Sequence, residues 1–291
     1  MKSTTFTFEG CDGSAIFARS WRPDGEVRGV VQIAHGMGEH SGRYARFAQA
    51  IVDAGYAVFA NDDRGHGRTA ASEAELGDFG TPGWEGVIDD IRALSNLAKA
   101  EHADLPFIIF GHSMGSFAVQ RVILDHSTEI DAAVLCGTTA VDVIAGMVAS
   151  GEGADLTSFN AGFAPSRTDF DWLSRDPDEV DNYIDDPHCG FGLNASSMAS
   201  IAEHALRHAD SEALSEIRHD LPIFMIAGSA DPINVGLALV DLVAQRYRDA
   251  GLSDVTCKWY TDARHELLNE TNRDEVTADV VSWLDRVTDR Q

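Results

Sequence analysis

The spacing of hydrophobic and polar positions changes twice along this chain of 291 residues. Residues 4–8 and 14–21 alternate apolar and polar around Cys11-Asp12-Gly13, the pattern of an antiparallel hairpin at a sheet edge. Beyond the hairpin, strands are expected at 29–34, 56–60, 107–110, 130–136, 223–227 and 255–260, most of them mainly apolar. Stretches at helical spacing separate them: 44–54, 84–103, a segment opening after residue 113, 236–250 and 274–286. The second carries Val87, Ile91, Leu94 and Leu97 on one face, the third Phe117, Val119, Val122 and Ile123. Apolar strands alternating with helices predict a mostly parallel sheet covered on both sides.

After Thr139 the alternation stops. Residues 141–218 hold no clear strand but several helical patterns, among them one through Val141, Ile144, Met147 and Val148 and a later one through Met198, Ile201, Ala202, Ala205 and Leu206. A loop rich in Asp, Pro and Gly is expected between them, over 160–193. The expected organisation is an α/β core in two parts, 1–140 and 219–291, interrupted by a helical insertion at 141–218.

A hydrophobic content of 44% suffices for such a core, but the charge is more telling. The formal charge is -25, and only Lys2, Lys99 and Lys258 are lysines. So acidic a surface repels nucleic acid and anionic membranes, and neither is an expected partner. It fits either salt adaptation or lineage composition, and composition is the simpler account. Cys11, Cys136, Cys189 and Cys257 lie far apart with no C-x-x-C pair, which suits a reducing compartment and argues against structural zinc. The start MKSTTFTFEG has no signal-peptide core and no stretch reaches membrane-spanning length, so a cytoplasmic protein is expected.

Candidate chemistry enters at residues 107–115. The run Phe107 to Phe110 breaks into Gly111-His112-Ser113-Met114-Gly115 and then into a helix, the strand–turn–helix context of a G-x-S-x-G nucleophile elbow. By itself the motif is also a tight turn with a capping serine. Its partners stand after two later strands: Ser229-Ala230-Asp231-Pro232 follows one, and Asp262-Ala263-Arg264-His265 the other. Functional groups of an open parallel sheet gather at such carboxyl ends, and the order Ser, Asp, His is that of α/β-hydrolases. A serine hydroxyl needs a base at neutral pH, so His265 would accept the Ser113 proton and return it to the leaving group, while Asp231 orients the imidazole. Asp142 is the alternative acid. Two backbone N–H groups must face the developing oxyanion. Met114, next to the nucleophile, supplies one, and Met37, in the His35-Gly36-Met37-Gly38 loop after the third strand, the other.

That loop also imitates a dinucleotide fingerprint, with Asp62 and Asp63 after the next strand. Ser41 occupies the third glycine position, however, and the fingerprint leaves the elbow unexplained. His35 to Glu39 and His40 has one residue too many for H-x-x-E-H. The hydrolytic reading requires no metal and no organic cofactor.

With these segments in view, the chain resembles the monoacylglycerol lipase and lysophospholipase family of α/β-hydrolases, among the serine aminopeptidase S33-like hydrolases. HGMGEHSGRY (35–44), DDRGHGRT (62–69), GHSMGS (111–116), GSADPIN (228–234) and ARHELLNE (263–270) carry the resemblance across the core, and FDWLSRDPDEVDNYIDDPHCGF (170–191) looks like the family's cap. The resemblance implies an α/β-hydrolase fold, a mostly parallel eight-stranded sheet with an inserted helical cap. It supports Ser113, Asp231, His265, Met37 and Met114 in the roles derived above, and implies that Glu39 and Arg43 sit beside the alcohol part of the ester. A local reading of that pair stays open, because a carboxylate and an arginine at i, i+4 near a helix start stabilise the helix without a ligand. Two departures are visible. Leu268 stands where some monoacylglycerol lipases have a second histidine, which puts glycerol recognition in question, and Gly115-Ser116 replaces a double glycine.

The expected activity is hydrolysis of carboxylic esters of single-chain lipids through an acyl-enzyme. Lysophospholipase and short-chain carboxylesterase are the alternatives within the class, and a non-catalytic lipid-binding protein the alternative outside it. The cap residues would roof an acyl tunnel, glue the cap to the core, or both, with Cys189 in the pocket wall or inert in packing. Without basic residues on these helices, membrane contact would be transient at most.

Overall fold

The computed structural model describes residues 1–149 and 156–289, with the side chains of Val148 and of residues 156–158 outside that description. Its centre is one sheet of eight strands: β1 (Lys2–Glu9), β2 (Ala15–Arg22), β3 (Gly29–Ala34), β4 (Tyr56–Asn61), β5 (Phe107–His112), β6 (Ala132–Cys136), β7 (Ile223–Gly228) and β8 (Val255–Tyr260). Their spatial order is β1-β2-β4-β3-β5-β6-β7-β8, antiparallel at β1/β2 and β2/β4 and parallel from β4 through β8. The five central strands are buried on both faces: every residue of β3, β4, β5, β6 and β7 is buried, while β8, at the sheet edge, is mostly half-buried.

Helices α1 (Ala45–Asp53), α2 (Gly83–Glu101), α3 (Met114–His126), α4 (Val141–Ala149), α5 (Pro177–Asp185), α6 (Ala195–His204), α7 (Ser211–Ser215), α8 (Ala238–Asp249) and α9 (Arg273–Thr288) complete the chain. Two apolar layers result. One packs α2, α3 and α8 on the sheet through residues such as Trp84, Ile91, Val119 and Val240. The other packs α1 and α9 on the opposite face through Phe47, Ile51, Val280 and Trp283.

Three expectations need correction. Leu97 is 46% exposed, because the inward stripe of α2 continues through Ser95 and Ala98 as a 3.6-residue period drifts from a strict three-residue step. Leu206 is 77% exposed and neither roofs a tunnel nor glues the insertion. Helix α6 ends at His204 and the chain tightens into a 3₁₀ turn, Ala205–Ala209, whose three-residue period turns Ala205 and His208 inward instead. Residues 160–193, expected as loop, contain α5. Its sequence is so acidic that only Val180 and Tyr183 are buried, which hid its period. The signal was in its start: Asp176 caps the Asp178 N–H and Pro177 occupies the first turn.

Among the described residues only helices, turns and irregular segments lie between β6 and β7, and part of this insertion is tied to the loop after β8. The Glu266 N–H donates to Leu173 O (2.8 Å), Ser174 Oγ to Asn269 O (2.8 Å) and Arg175 Nε to Glu270 (2.8 Å), while Arg264 reaches the carbonyls of Asp171 and Ser174. A small apolar cluster of Trp172, Leu173, Tyr183 and Ile233 seals this junction.

Candidate active site

The elbow forms because β5 must become α3 within one residue. Ser113 takes φ 50° and ψ -123°, a conformation L-residues avoid, and its N–H is held by Cys136 O at 3.0 Å. The flanking glycines are steric requirements. A Cβ on Gly111 would stand 2.6 Å from Gly115 O, and one on Gly115 2.5 Å from His35 O. Ser113 is thereby presented at the end of β5, beside the loop leaving its neighbour β3.

Strands β7 and β8 are adjacent, and their ends are laced by Ser229 N to Tyr260 O (2.9 Å) and Ala230 N to Ala263 O (3.0 Å). This brings Asp231 and His265 together: Nδ1 of His265 lies 2.9 Å from Oδ2 of Asp231, and both residues are buried. Asp231 also accepts the Ile233 N–H at 3.0 Å and Asn234 Nδ2 at 3.3 Å, which fixes its carboxylate. Burial alone would lower the His265 pKa, but the charge and hydrogen bond of Asp231 outweigh it and raise the pKa above the ordinary value. Asp142 faces elsewhere, clamped by Arg246 at 2.7 and 2.9 Å.

Ser113 and His265 line the same cavity, of about 490 Å³. Among the described residues no hydrogen bond yet joins Ser113 Oγ to the imidazole, as is common before substrate binds. Met37 lines the same cavity, and among the described residues neither the Met37 N–H nor the Met114 N–H has a backbone partner. Apolar lining comes from Phe117 of the core and from Val141, Ile144, Phe159, Trp172, Met198 and Ile201 of the insertion.

Glu39 lines the cavity, while Arg43 does not. The Glu39 carboxylate accepts from the Gly36 N–H (2.7 Å), Tyr44 Oη (2.7 Å) and Arg43 Nη1 (2.8 Å). Burial would raise its pKa, yet the Arg43 guanidinium prevails and holds it down to about 2.

Sequence reasoning missed three groups here. Glu266 binds Arg43 through two hydrogen bonds, at 2.6 and 2.7 Å, and also lines the cavity. Trp172 lays its indole 5.0 Å from the His265 ring, and its carbonyl accepts the His265 N–H at 3.4 Å. His112, whose ring is 4.9 Å from that of His265, has its pKa pushed down to about 4, by burial first and by His265 second. Glu266 and His112 adjoin triad members in sequence and could have been flagged by adjacency; Trp172 is far from them and could not.

His40, Asp186 and Cys189 bring one potential ligand atom each within 4.8 Å of one another. The geometry disfavours a metal. His40 Nδ1 accepts the Gly42 N–H at 3.1 Å, so Nε2 carries the proton and donates to Asp186 at 3.0 Å. Burial meanwhile raises the Cys189 pKa, against the thiolate a metal needs.

An elbow serine at the end of β5, a buried His–Asp pair at the ends of β8 and β7 and an apolar cavity define a serine hydrolase of carboxylic esters on the α/β-hydrolase fold. Residues 25–272 match the family model described as "Serine aminopeptidase, S33". A monoacylglycerol lipase of Mycolicibacterium smegmatis is 34% identical over 283 residues, covering 96% of this chain and 95% of that protein. The monoglyceride lipase of Rattus norvegicus is 28% identical over 94% of this chain and 88% of its own. Among solved structures, a thermostable carboxyl esterase from Bacillus coagulans in complex with glycerol superposes with a TM-score of 0.85 at 29% identity, covering 99% of both chains. The chain belongs to the serine aminopeptidase S33 family of α/β-hydrolases.

Proposed function

We propose that this protein is a monoacylglycerol lipase in which Ser113 attacks the ester carbonyl, His265 takes and returns the proton, Asp231 steadies the imidazolium, and the Met37 and Met114 N–H groups receive the oxyanion. One observation carries this reading: a cavity of about 490 Å³ with a largely apolar lining also holds the polar groups of Ser113, His265, His112, Glu39 and Glu266. A single acyl chain suits the apolar lining and a small polyol the polar groups. Glu39 faces the alcohol, and Arg43 holds Glu39 from behind. Among the described residues no arginine or lysine lines this cavity, and Arg43, which lines a small pocket beside it, is paired with Glu39 and Glu266, which supports an uncharged head group over a phosphate-bearing one. The monoacylglycerol and monoglyceride lipases among the relatives support the same substrate class.

Within this reading, 1–140 and 219–291 form the catalytic core and 141–218 a cap over the acyl chain. The acidic surface supports an enzyme that binds no nucleic acid and meets membranes only transiently. The four unpaired cysteines support a cytoplasmic location. Among the described residues no helix is long and apolar enough to cross a membrane.

The test compares hydrolysis of 1-monooleoylglycerol, lysophosphatidylcholine and p-nitrophenyl acetate by wild type and Ser113→Ala. The proposal expects monooleoylglycerol to give the highest kcat/KM of the two lipids, with all activity lost in the variant. Preference for lysophosphatidylcholine would reassign the substrate, and activity surviving in Ser113→Ala would reassign the nucleophile.

A further inference from the structure

The catalytic groups sit on two loops that belong to different parts of the sheet. The oxyanion donor Met37 is on the loop after β3, and His265 on the loop after β8, four strands away in the sheet order. The strands between them fix both loops only at their roots. Their tips are joined by the half-buried Arg43 guanidinium, while the exposed Arg46 adds hydrogen bonds from α1 to Leu268 O at 3.0 Å and Asn269 Oδ1 at 2.8 Å further along the second loop. Arg43 Nη1 donates to Glu39 at 2.8 Å and to Glu266 at 2.6 Å, and Nη2 donates to Glu266 at 2.7 Å. Each carboxylate in turn holds its own loop. Glu39 accepts the Gly36 N–H at 2.7 Å, one peptide before the Met37 N–H. Glu266 is the residue after His265, accepts Asn269 Nδ2 at 2.9 Å, and donates its N–H to Leu173 O. The Tyr183 ring of α5 lies 4.8 Å from the guanidinium carbon and closes the cluster from the insertion side.

We propose that Glu266, acting through Arg43 and Glu39, is a positioning residue that sets the register between the oxyanion donor and the catalytic histidine. Three features distinguish this from alcohol binding. Arg43 does not line the cavity, its fork is spent on the two carboxylates, and both oxygens of Glu266 already accept hydrogen bonds. A linkage of this kind acts on every ester alike, since the carbonyl needs both loops whatever its alcohol. The inference rests on Ser113 as the nucleophile and His265 as its base.

The experiment measures kcat and KM of Glu266→Gln on p-nitrophenyl butyrate and on 1-monooleoylglycerol, per active site titrated with a fluorophosphonate. Titration means that lost folding reduces the number of sites and leaves the rate per site untouched. The expected result is a fall in kcat of about 10- to 100-fold on both substrates, the scale of a displacement near 1 Å, with KM unchanged. The fluorophosphonate labelling rate should fall by a similar factor. A second variant, Arg43→Met with Glu266→Met, leaves fewer orphaned charges and should be no slower than Arg43→Met alone, because the two residues act as a unit. Arg43→Lys, which keeps the charge and loses the fork, should not restore the rate. A Glu266→Gln enzyme within twofold of wild-type kcat on the nitrophenyl ester overturns the inference, as does a rise in KM confined to the glycerol ester, strict additivity in the double variant, or rescue by lysine. Failure of the underlying reading looks different: wild-type protein would then not be labelled at Ser113.

Discussion

Replacing Asp231 by asparagine exchanges one carboxylate oxygen for an NH₂ group, which removes the charge and leaves the size almost unchanged, so it isolates what the carboxylate does. In the wild-type protein both oxygens are acceptors: Oδ1 takes the Ile233 N–H at 3.0 Å, and Oδ2 takes His265 Nδ1–H at 2.9 Å together with Asn234 Nδ2 at 3.3 Å. An asparagine keeps its carbonyl on Ile233 and must turn its NH₂ toward His265. The imidazole can meet a donor there only by leaving Nδ1 bare and moving its proton to Nε2, and an Nε2–H cannot accept the serine proton. A tautomer swap of this kind costs on the order of 10⁴ in kcat in serine-protease triads, equivalent to ~5.5 kcal/mol of barrier. Nothing nearby can substitute, since Asp142 is held by Arg246. The assay is p-nitrophenyl butyrate turnover per folded molecule, with a thermal melt to show that the Ile233 turn survives. A variant retaining more than a tenth of wild-type kcat would refute the reasoning, and a loss in Asp142→Asn comparable to that in Asp231→Asn would point to the wrong acid.

Other consequences can be measured separately. The free enzyme needs neutral His265, whose pKa is raised above the usual 6.5, so kcat/KM should fall as pH drops through a midpoint above that value; an acid limb centred below pH 6 would contradict the assigned environment. Gly115→Ala places a methyl 2.5 Å from the His35 carbonyl, where backbone rather than a pliable side chain must yield, and should lower stability by about 1 to 3 kcal/mol or more in a urea melt. An unchanged midpoint would show the elbow to be looser than its geometry implies. Ala145→Trp fills part of the apolar lining and should depress kcat/KM for palmitoyl esters well beyond any effect on acetyl esters, whereas an equal fall on both would remove the acyl chain from that part of the cavity.

The layered core was legible in the sequence because its signals are local. Strands buried on both faces are mainly apolar, as β3 to β7 are, and β3 and β8 begin and end where the sequence pattern places them. The elbow announced itself for a related reason: a strand cannot turn into a helix in one residue without glycines on either side, so Gly111 and Gly115 are visible wherever that turn exists. Chain order then marked Asp231 and His265, since ligand-facing loops follow parallel strands. Other features have no local signature. Leu206 satisfied a 3.6-residue pattern, but a 3₁₀ turn rotated it into solvent, and helical spacing cannot announce where a helix tightens. Helix α5 escaped because packing at the junction, rather than an apolar stripe, holds it. Glu266 and Trp172 gained their places only when the insertion folded against the loop after β8. Arg43 was readable as an i, i+4 partner of Glu39, while its second carboxylate lies 223 residues further along the chain. Periodicity and sterics act over a few residues and leave their mark in the sequence; the pairing of buried charges depends on which loops the sheet order brings within 3 Å, and that is decided in three dimensions.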